Sequence, residues 1–208
     1  MSTSGQSGGA LLKAYRDGRS EAGNALLKRY EPWLRLLARV QLESRFHAKF
    51  DASDIVQQAL MEAVRAFPQF RGHTEAEFAA WLRQILAHAL AHEIRRYRGT
   101  QKREVQREVP LDKQLTHASQ RLGDILSAGG TSPSQALVRQ ERQTQLARAL
   151  ERLPEDYREV IVLRNLEELS HEDVAARLGR NPGAVRMLWV RALARLRTEL
   201  AQMDSAVW

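Results

Sequence analysis

Two histidines, His88 and His92, stand four residues apart, the spacing that lets two imidazoles on one helix face share a metal ion. Glu93 follows and His73 is near in sequence. Ala89, however, occupies the place where a zinc-hydrolase helix carries its glutamate base, and no third ligand is evident. The pair reads as two polar groups on a partly exposed helix face, and no metal is expected. Cysteine is absent, which removes disulfides, thiolate metal sites and cysteine nucleophiles. The chain has no G-x-S-x-G, no P-loop and no dinucleotide fingerprint, and its carboxylates fall on ordinary helix faces with no pair forced together. No catalytic residue and no cofactor are expected, and nothing specifies an enzyme.

Arginine carries the stronger signal. From Arg177 to Arg197 there are six arginines (Arg177, Arg180, Arg186, Arg191, Arg195 and Arg197) and no acid. The stretch before it, Glu151 to Asp173, has eight acids and three arginines. One-signed charge on a helix suits a polyanion: guanidinium groups neutralise phosphates, and a guanidinium can also fork onto a guanine edge. A second basic cluster, Arg95, Arg96, Arg98, Lys102 and Arg103, has only Glu93 and Glu104 nearby. Cations at a helix C-terminus complement its dipole, which accounts for two or three of them. Five of them, with Trp81 and Tyr97 on the same helix, also suit a single nucleic-acid strand.

The elements that must position these groups are helical. Ser170 with Asp173 forms a capping box, Val174, Ala175 and Leu178 make an apolar face, and Gly179 ends that helix. Asn181 caps the next helix, Pro182 takes its first turn, and Val185, Leu188, Trp189, Ala192, Leu193 and Leu196 form its stripe. This is a helix-turn-helix layout. Upstream, Asp17-Gly18-Arg19-Ser20 is a turn and cap before a helix that Pro32 kinks or restarts. Asp51 or Ser53 caps a helix ending at Pro68, and Phe70-Arg71-Gly72-His73 is a loop. A capping box at Thr74–Glu77 opens a long helix to about Tyr97. Residues 99–134 are punctuated by Gly and Pro, with at most a short helical turn around Gln120 to Leu126. Ser132-Pro133-Ser134-Gln135 then reopens a helix that runs to Leu153, where Pro154 breaks it.

The formal charge of +7 suits an anionic partner, and 43% hydrophobic residues are enough for real cores. The small, polar start MSTSGQSGGA is neither a signal peptide nor an anchor, and no apolar run approaches the roughly 18 residues that cross a bilayer. The expected architecture is all-α with two small helical domains: a disordered stretch over 1–9, a helical domain over 10–98, a polar linker over 99–133, a helix-turn-helix domain over 134–200 and a tail over 201–208.

Two blocks together carry a family resemblance: DASDIVQQALMEAVRAFPQFRG with EFAAWLRQILAHALAHEIRRYR, and ALERLPEDYREVIVLRNLEELSHEDVAARLGRNPGAVRMLWVRALARLR. They resemble regions two and four of bacterial sigma factors of the extracytoplasmic-function (ECF) class. The segments LGDILSAGGTSPSQ and PGAVRMLWVRAL are similar to a planctomycete sub-type. The resemblance implies a cytoplasmic promoter-specificity subunit with core RNA polymerase and promoter DNA as partners, no membrane segment, and a separate anti-sigma protein as a further expected partner. It implies that the helix from Asp51 docks on the polymerase clamp through Asp51, Asp54, Gln57 and Gln58. It implies that Phe70, Arg71, Trp81, Arg83, His88, His92, Arg95 and Arg96 bind the opened minus-ten element, the loop at 70–73 trapping a flipped base. Glu151 to Glu168 would lie towards the polymerase flap. Arg180, Asn181, Ala184, Arg186, Met187 and Arg191 would read the minus-thirty-five element.

The chain departs from the family at two places. His88 stands where many members have Asn, and Arg186-Met187-Leu188-Trp189 stands where Lys-Ser-Arg-Leu is common. Leu188 and Trp189 read better as core than as base contacts. Two other readings compete: a free-standing helix-turn-helix regulator that binds duplex DNA without polymerase, and a helical metalloenzyme using His88 and His92.

Overall fold

The structure is a computed structural model that describes residues 7–46, 51–98, 111–127 and 136–205. Every regular element among the described residues is helical. The helices are α1 (Gly8–Arg16), α2 (Ser20–Phe46), α3 (Ala52–Ala66), α4 (Glu75–Arg98), α5 (Leu111–Ser127), α6 (Ala136–Arg152), α7 (Glu155–Ile161), α8 (His171–Leu178) and α9 (Pro182–Ser205). A 3₁₀ turn at Phe67–Gln69 follows α3, and a π turn at Val162–Leu166 follows α7.

The first four helices pack around Trp33, Tyr30 and Phe78, all fully buried. Pro32 does not interrupt α2, which runs through it to Phe46. Glu75, in the first turn of α4, is only 3% exposed. It accepts a hydrogen bond from the Tyr30 hydroxyl at 2.9 Å, and its carboxylate sits under the start of α1. A Cβ at Gly8 would lie 2.1 Å from Glu75 Oε1, so a side chain there would displace the carboxylate. Burial pushes the Glu75 carboxyl above its usual range, and burial with the neighbouring Glu75 charge pushes Tyr30 well up.

Glu75→Ala should cost about 1–3 kcal/mol, because it leaves a buried hydroxyl without its acceptor. Glu75→Gln keeps an acceptor and removes the buried charge. A carboxyl whose native pKa is raised favours folding at low pH and loses that advantage as pH rises. Relative to Glu75→Gln, the natural chain should therefore lose stability as pH rises from the usual carboxylate range through the raised native pKa. Urea midpoints of both chains across pH measure this, and a constant difference would contradict it.

Three expected boundaries move. Helix α1 begins at Gly8, capped by Ser7 Oγ accepting from the Ala10 amide at 3.3 Å, so order starts within the stretch expected to be disordered. Residues 1–6 lie outside the described residues. The tail from 201 continues α9 to Ser205. The expected linker carries the 17-residue helix α5, not a short turn. Leu111, Leu115, Ala118, Leu122 and Ile125 recur at threes and fours, and Leu115, Ala118 and Leu122 are buried. Such a stripe is stable once it finds a face to cover, and α4, α2 and α6 supply one. The remaining linker residues, with the capping box at Ser132–Gln135 and the cations Lys102 and Arg103, lie outside the described residues.

The two halves are in contact. Helix α6 packs on α2, α4 and α5 and also on α9. Arg29 pairs with Glu141 at 2.6 Å, and Arg35 with Glu151 and Glu31. Buried Ser119 and Gln143 exchange two hydrogen bonds, at 2.9 and 2.7 Å. From α5, Arg121 donates to the Leu166 carbonyl at 2.6 Å and pairs with Glu168 at 2.9 Å.

Candidate nucleic-acid interface

The site in the first half is built on an aromatic cluster. Phe67 ends α3, and Pro68 permits only a 3₁₀ turn before the chain leaves as a loop. Phe67 is 4% exposed. Its ring stacks on Tyr15 at 4.0 Å and lies 5.7 Å from Trp81, 5.4 Å from Phe78 and 6.2 Å from Phe70. Phe70 lies 5.0 Å from Trp81, and both are half-buried, with ring surface left to the solvent. The loop then closes over this cluster. Gly72 gives the loop room, since a Cβ there would meet the Phe70 ring at 2.3 Å and force the ring to shift. Glu77 ties the far end: its Oε2 accepts from the His73 and Thr74 amides at 2.7 and 2.9 Å, while Thr74 Oγ1 accepts from the Glu77 amide at 3.2 Å. Those amide donors hold the Glu77 carboxyl below its usual range. Arg16, at the end of α1, reaches the same loop. It donates to the Arg71 and Gly72 carbonyls at 3.0 and 2.6 Å and to His73 Nδ1 at 2.7 Å.

Beyond Trp81, helix α4 presents an exposed stripe of Gln84, His88, His92 and Arg95, with Arg96 beside it. Four of the expected minus-ten residues thus share one surface, and Arg71 is exposed on the loop before it. Arg83 does not join them. It falls on the inner side of α4, its guanidinium 5.9 Å from the Trp33 ring, and burial lowers its pKa while Asp112 of α5 opposes the shift. The reason is register: Arg83 lies one position before the stripe, on the side of α4 that meets the Trp33 ring of α2. His92 Nδ1 lies 3.7 Å from Glu93 Oε1, and Arg96 pairs with Glu93 at 3.2 Å. Among the described residues no three His, Asp or Glu side chains come together in a way that could hold a metal ion.

The second half builds the helix-turn-helix. Ser170 Oγ accepts from the Asp173 amide at 3.0 Å, and Asp173 returns the bond to the Ser170 amide at 3.3 Å. Gly179 ends α8 in the left-handed region, φ 62°. Asn181 Oδ1 accepts from the Gly183 amide at 2.8 Å and starts α9. Val185, Ala192 and Leu196 are buried, as is Ala175 of α8. Trp189 is half-buried, as the helical stripe requires. Its Nε1 donates to Asn165 Oδ1 of the π turn at 2.9 Å, and His171 and Arg164 lie against its ring. Burial, and then the Arg164 and Arg186 charges, keep His171 below the usual imidazole range. Leu188 is half-buried and packs on the core.

All six expected minus-thirty-five residues, Arg180, Asn181, Ala184, Arg186, Met187 and Arg191, are exposed. Met187 is 53% exposed. Arg180 pairs with Asp156 of α7. That pair is solvent-exposed and therefore weak, so a phosphate can displace Asp156 at little cost. Arg177 pairs with Glu167 at 3.0 Å and Arg195 with Glu199 at 2.8 Å.

A third surface lies on α3. Asp54, Gln57 and Gln58 are exposed and, with Met61, Glu62 and Arg65, line a shallow concavity of about 490 Å³. Asp51 is exposed, but its carboxylate is engaged as the N-cap, accepting from the Ser53 amide at 2.8 Å. Reading the sequence missed three residues that shape these surfaces: Tyr15, Arg16 and Glu75. Tyr15 and Arg16 lie on a short helix with no motif, and Glu75 looks like an ordinary first-turn acid.

Two family models match the chain: Sigma-70 region 2 over residues 26–100, and Sigma-70, region 4 over residues 143–196. The RNA polymerase sigma-H factor of Pseudomonas aeruginosa is 33% identical over 147 residues, covering 70% of this chain and 71% of its own. The ECF RNA polymerase sigma-E factor of Escherichia coli K12 is 30% identical over 187 residues, 88% of each chain. That of Salmonella typhimurium LT2 is 29% identical over the same length.

Proposed function

The chain belongs to the ECF class of the sigma-70 family and directs promoter recognition by RNA polymerase; from that premise we propose how its residues divide the work. The proposal rests on one observation: two exposed basic surfaces, on α4 and α9, stand on two differently built halves of one chain. The α4 surface is a helix stripe beside half-buried aromatic rings that keep part of their surface open, which suits an unstacked single strand. The α9 surface is a helix after a tight turn, which suits the major groove of a duplex.

In this reading Phe70, Arg71 and Trp81 capture a minus-ten base that has left the stack, and His88, His92, Arg95 and Arg96 follow the non-template strand. His88, both donor and acceptor, takes the base-contacting place that Asn fills in many family members. Arg83, half-buried against the Trp33 ring, stands apart from the strand-following stripe. Arg180, Asn181, Ala184, Arg186, Met187 and Arg191 form the minus-thirty-five reader, with Met187 available to a thymine methyl. The concave face of α3 docks on the polymerase clamp through Asp54, Gln57 and Gln58, with Asp51 fixing the start of that helix. Glu151 to Glu168 lies towards the polymerase flap. The protein works in the cytoplasm, where polymerase and promoter are. No helix among the described residues is long and apolar enough to cross a membrane. Met187 and Val190, 53% and 49% exposed, give an anti-sigma partner an apolar foothold on the same face when DNA is absent. Co-purification from cells tests that partner.

Transcription in vitro with purified core enzyme tests the whole reading. Promoter-dependent initiation is expected on genomic templates, and its complete absence would overturn it. Within that assay, Arg186→Ala should weaken use of the upstream element. If Arg186 meets a phosphate, the salt slope falls by about one. If it forks onto guanine, discrimination falls by about 1–3 kcal/mol. Unchanged promoter use on both scales would remove Arg186 from the reader.

A further inference from the structure

We propose that Arg16 is a positioning residue for the minus-ten base pocket, and that His73, whose proton Arg16 places, is a specificity-determining residue within it. The proposal rests on the reading of the 67–81 segment given above. On the side of Phe70 away from Trp81 the loop and α1 border an open concavity of about 680 Å³, lined among others by Tyr15, Arg16, Phe67, Phe70, Arg71 and His73, which the proposal assigns to the base. One wall therefore comes from α1, which precedes the segment that matches the region 2 model.

The geometry assigns the roles. A guanidinium only donates, and its planar fork fixes the directions of its N–H groups. Arg16 spends one nitrogen on two successive loop carbonyls, of Arg71 and Gly72, and the other on His73 Nδ1. Three bonds from one planar group set the course of the loop where Gly72 lets it pass over Phe70. Because His73 Nδ1 must accept, a neutral His73 carries its proton on Nε2. His73 then lines the cavity as a hydrogen-bond donor, a group suited to a carbonyl or ring-nitrogen acceptor on the edge of an unstacked base. The apolar face of that base is met by Phe70. Tyr15 stacks under Phe67 and holds α1 in place, and Gly23 leaves room for it, since a Cβ there would meet the Tyr15 ring at 2.7 Å.

Lysine cannot reproduce this arrangement, because one ammonium cannot reach two carbonyls and an imidazole in the fixed planar fork. That separates positioning from simple charge. The experiment uses holoenzyme made from the full chain and core polymerase, on promoter libraries randomised through the minus-ten and minus-thirty-five elements. With Arg16→Ala, base discrimination at one minus-ten position should fall about ten-fold, with minus-thirty-five preference unchanged. His73→Phe should flatten the same position. Arg16→Lys should lose that discrimination while keeping the salt dependence of the natural chain. Full discrimination with Arg16→Lys would assign Arg16 to a phosphate contact and overturn the proposal, as would unchanged discrimination in Arg16→Ala or His73→Phe. If the natural chain itself shows no minus-ten preference that depends on Phe70 and Trp81, the reading of the loop fails, not the role of Arg16 alone.

Discussion

Locking α2 to α6 should cut promoter-directed initiation at least about ten-fold and leave each half's exposed surface intact. The two elements are centred about 25 base pairs apart, which at about 3.4 Å per pair is roughly 85 Å of duplex. A compact chain of this size has a radius of gyration near 17 Å and a span of about 45 Å. The described halves pack directly through α2, α5 and α6, so one closed body cannot cover both elements on straight DNA. The contacts that close it are partly polar and can be solvated on opening: Arg29 with Glu141, Arg35 with Glu151, and the Ser119–Gln143 exchange. Because the chain has no cysteine, Arg29→Cys with Glu141→Cys would introduce the only two thiols. Joined by a cleavable bis-maleimide, the protein should lose at least about ten-fold in initiation, equivalent to roughly 1.4 kcal/mol. Cleaving the linker should restore it, and the uncrosslinked pair provides the baseline. Full activity of the crosslinked protein would show that the closed body reads both elements, and the argument would fail.

The second large effect is expected at Phe67. Its ring is buried against Tyr15, Phe70, Phe78 and Trp81 at once. Phe67→Ala leaves a cavity that this rigid cluster fills poorly, at a cost of about 3–5 kcal/mol. For a chain of about 200 residues that corresponds to a drop of roughly 6–20 °C in Tm. Phe70→Ala should behave differently. Phe70 is half-buried, so stability falls less, while initiation falls through loss of the base-stacking surface. Calorimetry together with transcription on an opened template separates the two. A Phe67→Ala chain that melts within about 2 °C of the natural one would show that the cluster is not a structural hub.

Much of the second half was legible in the sequence, because its signals are local. The Ser170–Asp173 capping box, the left-handed Gly179 and the Asn181-Pro182 start each act within four residues. The apolar stripe of α9 also separated buried Val185, Ala192 and Leu196 from exposed Arg186, Met187 and Arg191. Less was legible at the loop of the first half. The capping box at Thr74–Glu77 was readable, but Glu75, one residue in, looked like any first-turn acid and became a buried support for α1. Helix α5 was obscured because its apolar stripe runs through polar, glycine-punctuated sequence, and only the partner face makes it stable.

The sequence by itself determined the helical character, the two separate basic surfaces, the caps that fix the helix-turn-helix and, through two motif blocks, the family. These are matters of periodicity, capping and charge sign, which the chain carries within one or two turns. Only the tertiary structure decided which cations stand exposed and which are turned inward. Arg83, one register step from the stripe, lies half-buried against the Trp33 ring, and Arg16, without any motif, reaches 55 to 57 residues along the chain to hold the loop at 71–73. Those pairings join residues far apart in sequence, and packing alone brings them together.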